Sequence, residues 1–137
     1  MSKRILVPVD GSDHSWKAFD YALEEHREDE LTILHVIDPM QGDYEPDESN
    51  AQAVKRSDTI RADVETRLEE TGDGGPEVEV VTREGKPADE IIDHANTDEI
   101  DQVVMGSRGL SGVKRLLLGS VAETVVRRAE VPVNIVR

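Results

Sequence analysis

Cysteine is absent from the 137 residues. That removes disulfide frameworks and thiolate metal sites, and it agrees with a reducing compartment. Aromatic residues make up only 3% of the chain, so a core has to be built from Val, Ile, Leu and Ala, as in helix-covered sheets. Long hydrophobic runs are missing too. No stretch approaches the ~18 apolar residues of a membrane span. The amino end, Met1-Ser2-Lys3-Arg4 and then Ile5-Leu6-Val7 before Pro8, is too short in apolar residues for a signal peptide. The expectation is a soluble, cytoplasmic protein with no membrane partner. Basic residues are in the minority, 16 Lys plus Arg against 30 Asp plus Glu, for a net charge of −14. General attraction to nucleic acid is therefore excluded.

What is present points to one α/β domain over residues 1–137, a length at which a single core is the rule. The acids are dispersed, from Glu24-Glu25 to Asp98-Glu99 and Asp101, and only five of the sixteen cations are Lys. Such a composition reads as the solvated acidic surface of a halophile. Ile5-Leu6-Val7-Pro8-Val9 reads as a buried strand ending at Asp10-Gly11-Ser12, with Ser12 or Asp13 capping a helix over 13–27 that carries Trp16, Phe19, Ala22 and Leu23. A second buried strand covers 31–37. Residues 39–50, with Gly42 and Pro46 among acids, read as a surface loop, and Val54, Ile60, Val64 and Leu68 mark a charged helix over about 51–71. Val78, Val80 and Val81 mark a third strand. Ala88, Ile91, Ile92 and Ala95 mark a short helix, Ile100 with Val103-Val104-Met105 a fourth strand, Val121 to Ala129 a last helix, and Val131 to Val136 a fifth strand. Five strands joined through helices predict a parallel, doubly wound sheet with helices on both faces. In that class ligands sit beyond the carboxyl ends of the strands.

After the fourth strand comes Gly106-Ser107-Arg108-Gly109, and later Leu118-Gly119-Ser120 at the start of the last helix. Glycines at 106, 109 and 119 let an anion approach backbone N–H groups and permit the positive φ of an anion nest. A helix that opens at Gly119-Ser120 adds N–H donors and its dipole. Ser120, with Glu123 three residues on, reads as a capping box. Residues 102–122 contain no Asp or Glu but carry Arg108, Lys114 and Arg115, so an anionic ligand is expected there. Other candidates are weaker. His14, His26, His35 and His94 show no metal-ligand spacing, and His35 in its strand reads as structural. Ser107 and Ser111 lack a G-x-S-x-G context. No catalytic residue and no metal ligand is assigned.

The segment fits neither the dinucleotide fingerprint nor the phosphate loop. Gly106-x2-Gly109-x9-Gly119-Ser120 instead resembles the G-2x-G-9x-G-[ST] signature of ATP-binding universal stress proteins. Ile5-Leu6-Val7-Pro8-Val9-Asp10-Gly11-Ser12, Leu34-His35-Val36-Ile37-Asp38, Gly85-Lys86-Pro87 and Val131-Pro132-Val133-Asn134-Ile135-Val136 resemble that family as well. The resemblance implies a Rossmann-like sheet of order 3-2-1-4-5, ATP with Mg2+ as ligand, and a regulatory stress-response role with a protein partner. Slow ATP hydrolysis and a nucleotide-free interaction module are the alternatives. It also implies site residues: Pro8, Val9 and Asp10 toward base and ribose, Val36 at the adenine edge, Met105 and Gly106 at the start of the phosphate path, and Gly109, Gly119, Ser120 and Val121 on the phosphates, with Arg108 among them. The family's usual homodimer would form through strand 131–136.

Overall fold

The computed structural model describes residues 2–38, 49–72, 74–97, 99–108 and 118–137. Nine elements follow in chain order: β1 (Arg4–Pro8), α1 (Asp13–Glu25), β2 (Glu30–Ile37), α2 (Ser49–Thr71), β3 (Glu77–Glu84), α3 (Pro87–Ala95), β4 (Gln102–Gly106), α4 (Ser120–Arg128) and β5 (Val133–Val136). The strands form one parallel sheet in the order β3-β2-β1-β4-β5. This is the expected doubly wound arrangement, with its order reversing between β1 and β4.

Alternation along each strand sorts the side chains onto two faces. Ile5, Val7 and Val9 from β1 and the turn after it, Leu31 and Ile33 from β2, and Val104 from β4 pack with Trp16, Phe19, Ala22 and Leu23 of α1 and Ile60 and Val64 of α2. Leu6, Leu34, Val103 and Met105 point the other way, onto Ile91, Ile92 and Ala95 of α3 and Ala122 and Val125 of α4. With so few aromatics, Trp16 and Phe19 are concentrated on one face, edge to face at 5.7 Å between centroids. Arg67 of α2 lies 4.4 Å above the Trp16 ring and donates to both carboxylate oxygens of Asp20. It thereby clips α2 to α1 by a cation–π contact and an ion pair.

Several boundaries differ from expectation. Alpha1 stops at Glu25, and His26 caps it by donating its N–H to the Ala22 carbonyl. Ser49 and Asn50 are already helical in α2, so the expected loop over 39–50 is shorter at that end, and its remainder, 39–48, lies outside the described residues. Ile100 belongs to a turn, its N–H on the Thr97 carbonyl, and β4 begins two residues later. Beta5 begins at Val133 because Pro132 has no N–H for the ladder, although its carbonyl still accepts from Val103 at 2.9 Å.

The two sheet edges differ in chemistry. Beta3 exposes Glu77, Glu79, Arg83 and Glu84, charges that discourage strand addition. Beta5 presents Val133, Asn134, Ile135 and Val136, all half-buried, and Asn134 donates to the Tyr21 hydroxyl of α1 at 3.1 Å.

At the amino edge of the sheet, Asp29 accepts the Lys3 N–H at 2.8 Å and meets His26 Nδ1 at 2.8 Å. The Lys3 hydrogen bond, followed by the His26 contact, holds the Asp29 carboxyl below its ordinary value despite partial burial. A carboxyl with a depressed folded pKa adds stability above its unfolded value, and that stability is lost as pH falls through the folded value. Asp29→Ala should therefore cost about 1 kcal/mol near pH 7, and the difference from wild type should close as pH falls below the ordinary aspartate range near 3.8. Urea unfolding of both proteins at pH 7 and at pH 3 measures this. An equal difference at both values would remove the ionised carboxylate from the explanation.

Candidate functional site

Three segments meet at the carboxyl edge. Beta1 ends in Pro8, and Val9 continues its line by donating its N–H to the Leu34 carbonyl at 2.9 Å. The chain then turns: Asp10 Oδ1 accepts the Ser12 N–H at 2.9 Å across Gly11, whose φ of 89° favours glycine. Ser12 is the N-cap of α1, its Oγ accepting the Ser15 N–H at 3.2 Å. This settles the choice between Ser12 and Asp13 and gives Asp10 a turn-forming role at a half-buried position beside the sheet edge.

The second segment is the end of β4. Met105 and Gly106 are buried, and Gly106 has neither a positive φ nor room for a side chain. A Cβ built at Gly106 would lie 2.6 Å from the carbonyl oxygen of His14, in the first turn of α1. The glycine is thus required by the close approach of α1 to β4, which corrects the expectation of nest geometry at this position.

The third segment is the start of α4. Gly119 is its N-cap, with φ −63° and ψ 161°, and has no side chain with which to cap the helix. This corrects two expectations. Gly119 does not use positive φ, and Ser120 is the exposed first residue of the helix rather than the serine of a capping box. Glu123 instead pairs with Arg127 one turn on, at 2.7 Å. The first turn of α4 is therefore left without a side-chain cap from its own N-cap residue, the condition under which a helix start accepts an anion.

What joins the second and third segments is one short hydrogen bond: Gly119 donates its N–H to the Ser107 carbonyl at 2.7 Å, while Ser107 donates to Val136 of β5 at 3.1 Å. The two ends of the glycine-flanked stretch are thereby held together, and the α4 start stands beside the end of β4. Half-buried Arg108 and Val121 flank this closure. Gly109, Ser111, Lys114 and Arg115 lie outside the described residues.

Beta2 borders the same edge. Val36 is half-buried near its end, and the neighbouring His35 is buried, with Nδ1 3.2 Å from the Ser57 hydroxyl of α2. Burial, then the Arg56 charge, pushes His35 below the ordinary histidine value, while Asp10 acts in the opposite direction. This supports the structural reading of His35. His14, weighed in the sequence only as a metal ligand, has in its Nδ1 a buried side-chain nitrogen without a hydrogen-bond partner. Its position in the first turn of an ordinary helix carries no sequence signal, because the contact with Gly106 is tertiary. Among the described residues, no cluster of three or more His, Asp or Glu could hold a metal ion, and no helix is long and apolar enough to cross a membrane.

A parallel 3-2-1-4-5 sheet, with the uncapped start of α4 hydrogen-bonded to the end of β4 at its carboxyl edge, defines a Rossmann-like α/β protein. More narrowly, the chain belongs to the universal stress protein family, whose profile matches residues 1–137. It is 36% identical to the universal stress protein YxiE of Bacillus subtilis over an alignment 151 positions long that covers all of both chains. Its structure is similar to that of protein MJ0577 of Methanocaldococcus jannaschii, with a TM-score of 0.77, 30% identity, and coverage of 99% of this chain and 96% of that one. A universal stress protein solved in complex with cAMP superposes with a TM-score of 0.70 and 26% identity, covering 99% and 97% of the two chains.

Proposed function

We propose that this protein binds ATP, with Mg2+, at the carboxyl edge between β1 and β4 and acts as a nucleotide-dependent regulatory protein of the stress response. The observation that carries the reading is the Gly119-to-Ser107 hydrogen bond of 2.7 Å, because it brings the uncapped α4 start to the strand end where this fold class holds its ligands. The surrounding charge favours the same conclusion, since residues 102–122 have no acid in a chain of net charge −14. The related protein solved with cAMP shows that this scaffold takes an adenine nucleotide in at least one relative.

In this reading Pro8, Val9 and Asp10 face the base and ribose, and the Val36 backbone meets the adenine edge. Met105, Gly106 and Arg108 begin the phosphate path, and Gly109, Gly119, Ser120 and Val121 hold the phosphates. Asp10 belongs at the sugar or on the magnesium ion, since a bare carboxylate against phosphate is repelled. Calorimetric titration with Mg-ATP and with AMP tests the assignment.

The unequal sheet edges support assembly as a homodimer. A two-fold pairing of β5 with its copy covers the apolar edge and leaves the charged β3 edge in solvent. Light scattering should give a mass near twice 15.2 kDa; a monomer would eliminate the pairing.

A further inference from the structure

His14 is the second residue of α1, and its backbone is pressed against the end of β4: a Cβ at Gly106 would meet the His14 carbonyl oxygen at 2.6 Å and the His14 Cβ at 3.1 Å. The residue is partly exposed, yet its Nδ1 is enclosed and lacks a hydrogen-bond partner, alone in this respect among the side-chain nitrogens and oxygens of the described residues. Nε2 is not among the enclosed atoms that lack a partner. An enclosed N–H without an acceptor costs more than an enclosed lone pair, so the proton belongs on Nε2. The result is an imidazole N–H donor in the first turn of the helix packed on Gly106, at the start of the acid-poor stretch.

We infer that His14 is a nucleotide-binding residue, donating its Nε2–H to a phosphate oxygen of the bound nucleotide. The inference rests on the ATP reading above and deepens it. It adds an imidazole donor from α1 to the backbone N–H groups, Arg108 and the Ser120 hydroxyl already placed on the phosphate path. Nothing covalent is involved, and the imidazole keeps its proton throughout.

Adenosine separates this role from a packing role, because it offers the base and sugar without the phosphates. His14→Ala should weaken Mg-ATP about tenfold, the usual worth of a hydrogen bond to a charged group, and leave adenosine affinity unchanged. His14→Gln, whose amide nitrogen reaches the Nε2 position, should keep ATP binding within about threefold of wild type, whereas His14→Asn, which mimics Nδ1, should behave like alanine. In long-range 1H–15N spectra of the wild type, the His14 ring signals should shift on adding ATP and stay in place with adenosine. Each protein is first shown to be folded by circular dichroism. Unchanged ATP affinity in His14→Ala, equal weakening of ATP and adenosine, or a silent His14 ring overturns the inference while leaving the nucleotide site intact. Failure of the wild type to bind ATP at all overturns the nucleotide reading and this inference together.

Discussion

Gly106→Ala is expected to lower the melting temperature by about 10 °C, the equivalent of roughly 3 kcal/mol in a domain of this size. The added methyl would sit 2.6 Å from the His14 carbonyl oxygen and 2.7 Å from its carbon. These are backbone atoms in the first turn of α1, and they cannot swing aside as the tip of a side chain would. Relief requires moving α1 away from β4, which loosens the packing of Trp16 and Phe19 against Val7 and Val104. Gly106→Val should cost more. Urea or thermal unfolding of the alanine variant gives the answer, and an unchanged midpoint would mean that the α1–β4 approach is softer than the structure has it.

The opposite separation is expected at Gly119. Its φ of −63° and ψ of 161° lie in the extended region that valine occupies readily. Gly119→Val should therefore meet no backbone strain, and weaker capping costs about 1 kcal/mol; because Gly119 is buried, the variant is first shown to be folded by circular dichroism. The branched side chain would nevertheless stand where phosphates approach the first-turn N–H groups. Losing even two charge-assisted contacts there amounts to a drop of about 100-fold or more in ATP affinity. Gly109→Val should act in the same direction. Ser120→Ala should do far less, because Ser120 contributes a hydroxyl at the first helical position and the backbone donors remain. A Gly119→Val protein that binds ATP as the wild type does would make the Gly119–Ser107 closure purely structural and favour the interaction-module alternative.

These two glycines also mark how far the sequence could be read. The apolar runs of β1, β2 and β4 were legible because their alternating residues feed two separate cores, Ile5 and Val7 on one side and Leu6 on the other. From five such strands joined by helices, the parallel sheet follows. The spacing of Gly106, Gly119 and Ser120 was legible as a signature. Less visible was why each glycine is there. Gly106 answers to His14, more than ninety residues earlier in the chain, and Gly119 takes the N-cap that local preference gives to Ser120. Such contacts are tertiary, and no local pattern encodes them. For the same reason nothing in the sequence sets His14 apart from the other histidines, although its backbone lies against Gly106 and its Nδ1 is enclosed without a partner. The clip of Arg67 on Trp16 and Asp20 was equally hidden, since its partners lie on another helix.

The claim on which everything else depends is that the carboxyl edge binds a nucleotide through its phosphates. Calorimetric titration of the folded chain with Mg-ATP, repeated with AMP, measures that directly. One ATP per chain is expected, with an affinity at least about tenfold above that for AMP, because the α4 start as proposed would act on phosphates that AMP lacks. Heats no larger than dilution, or equal affinity for ATP and AMP, would contradict it.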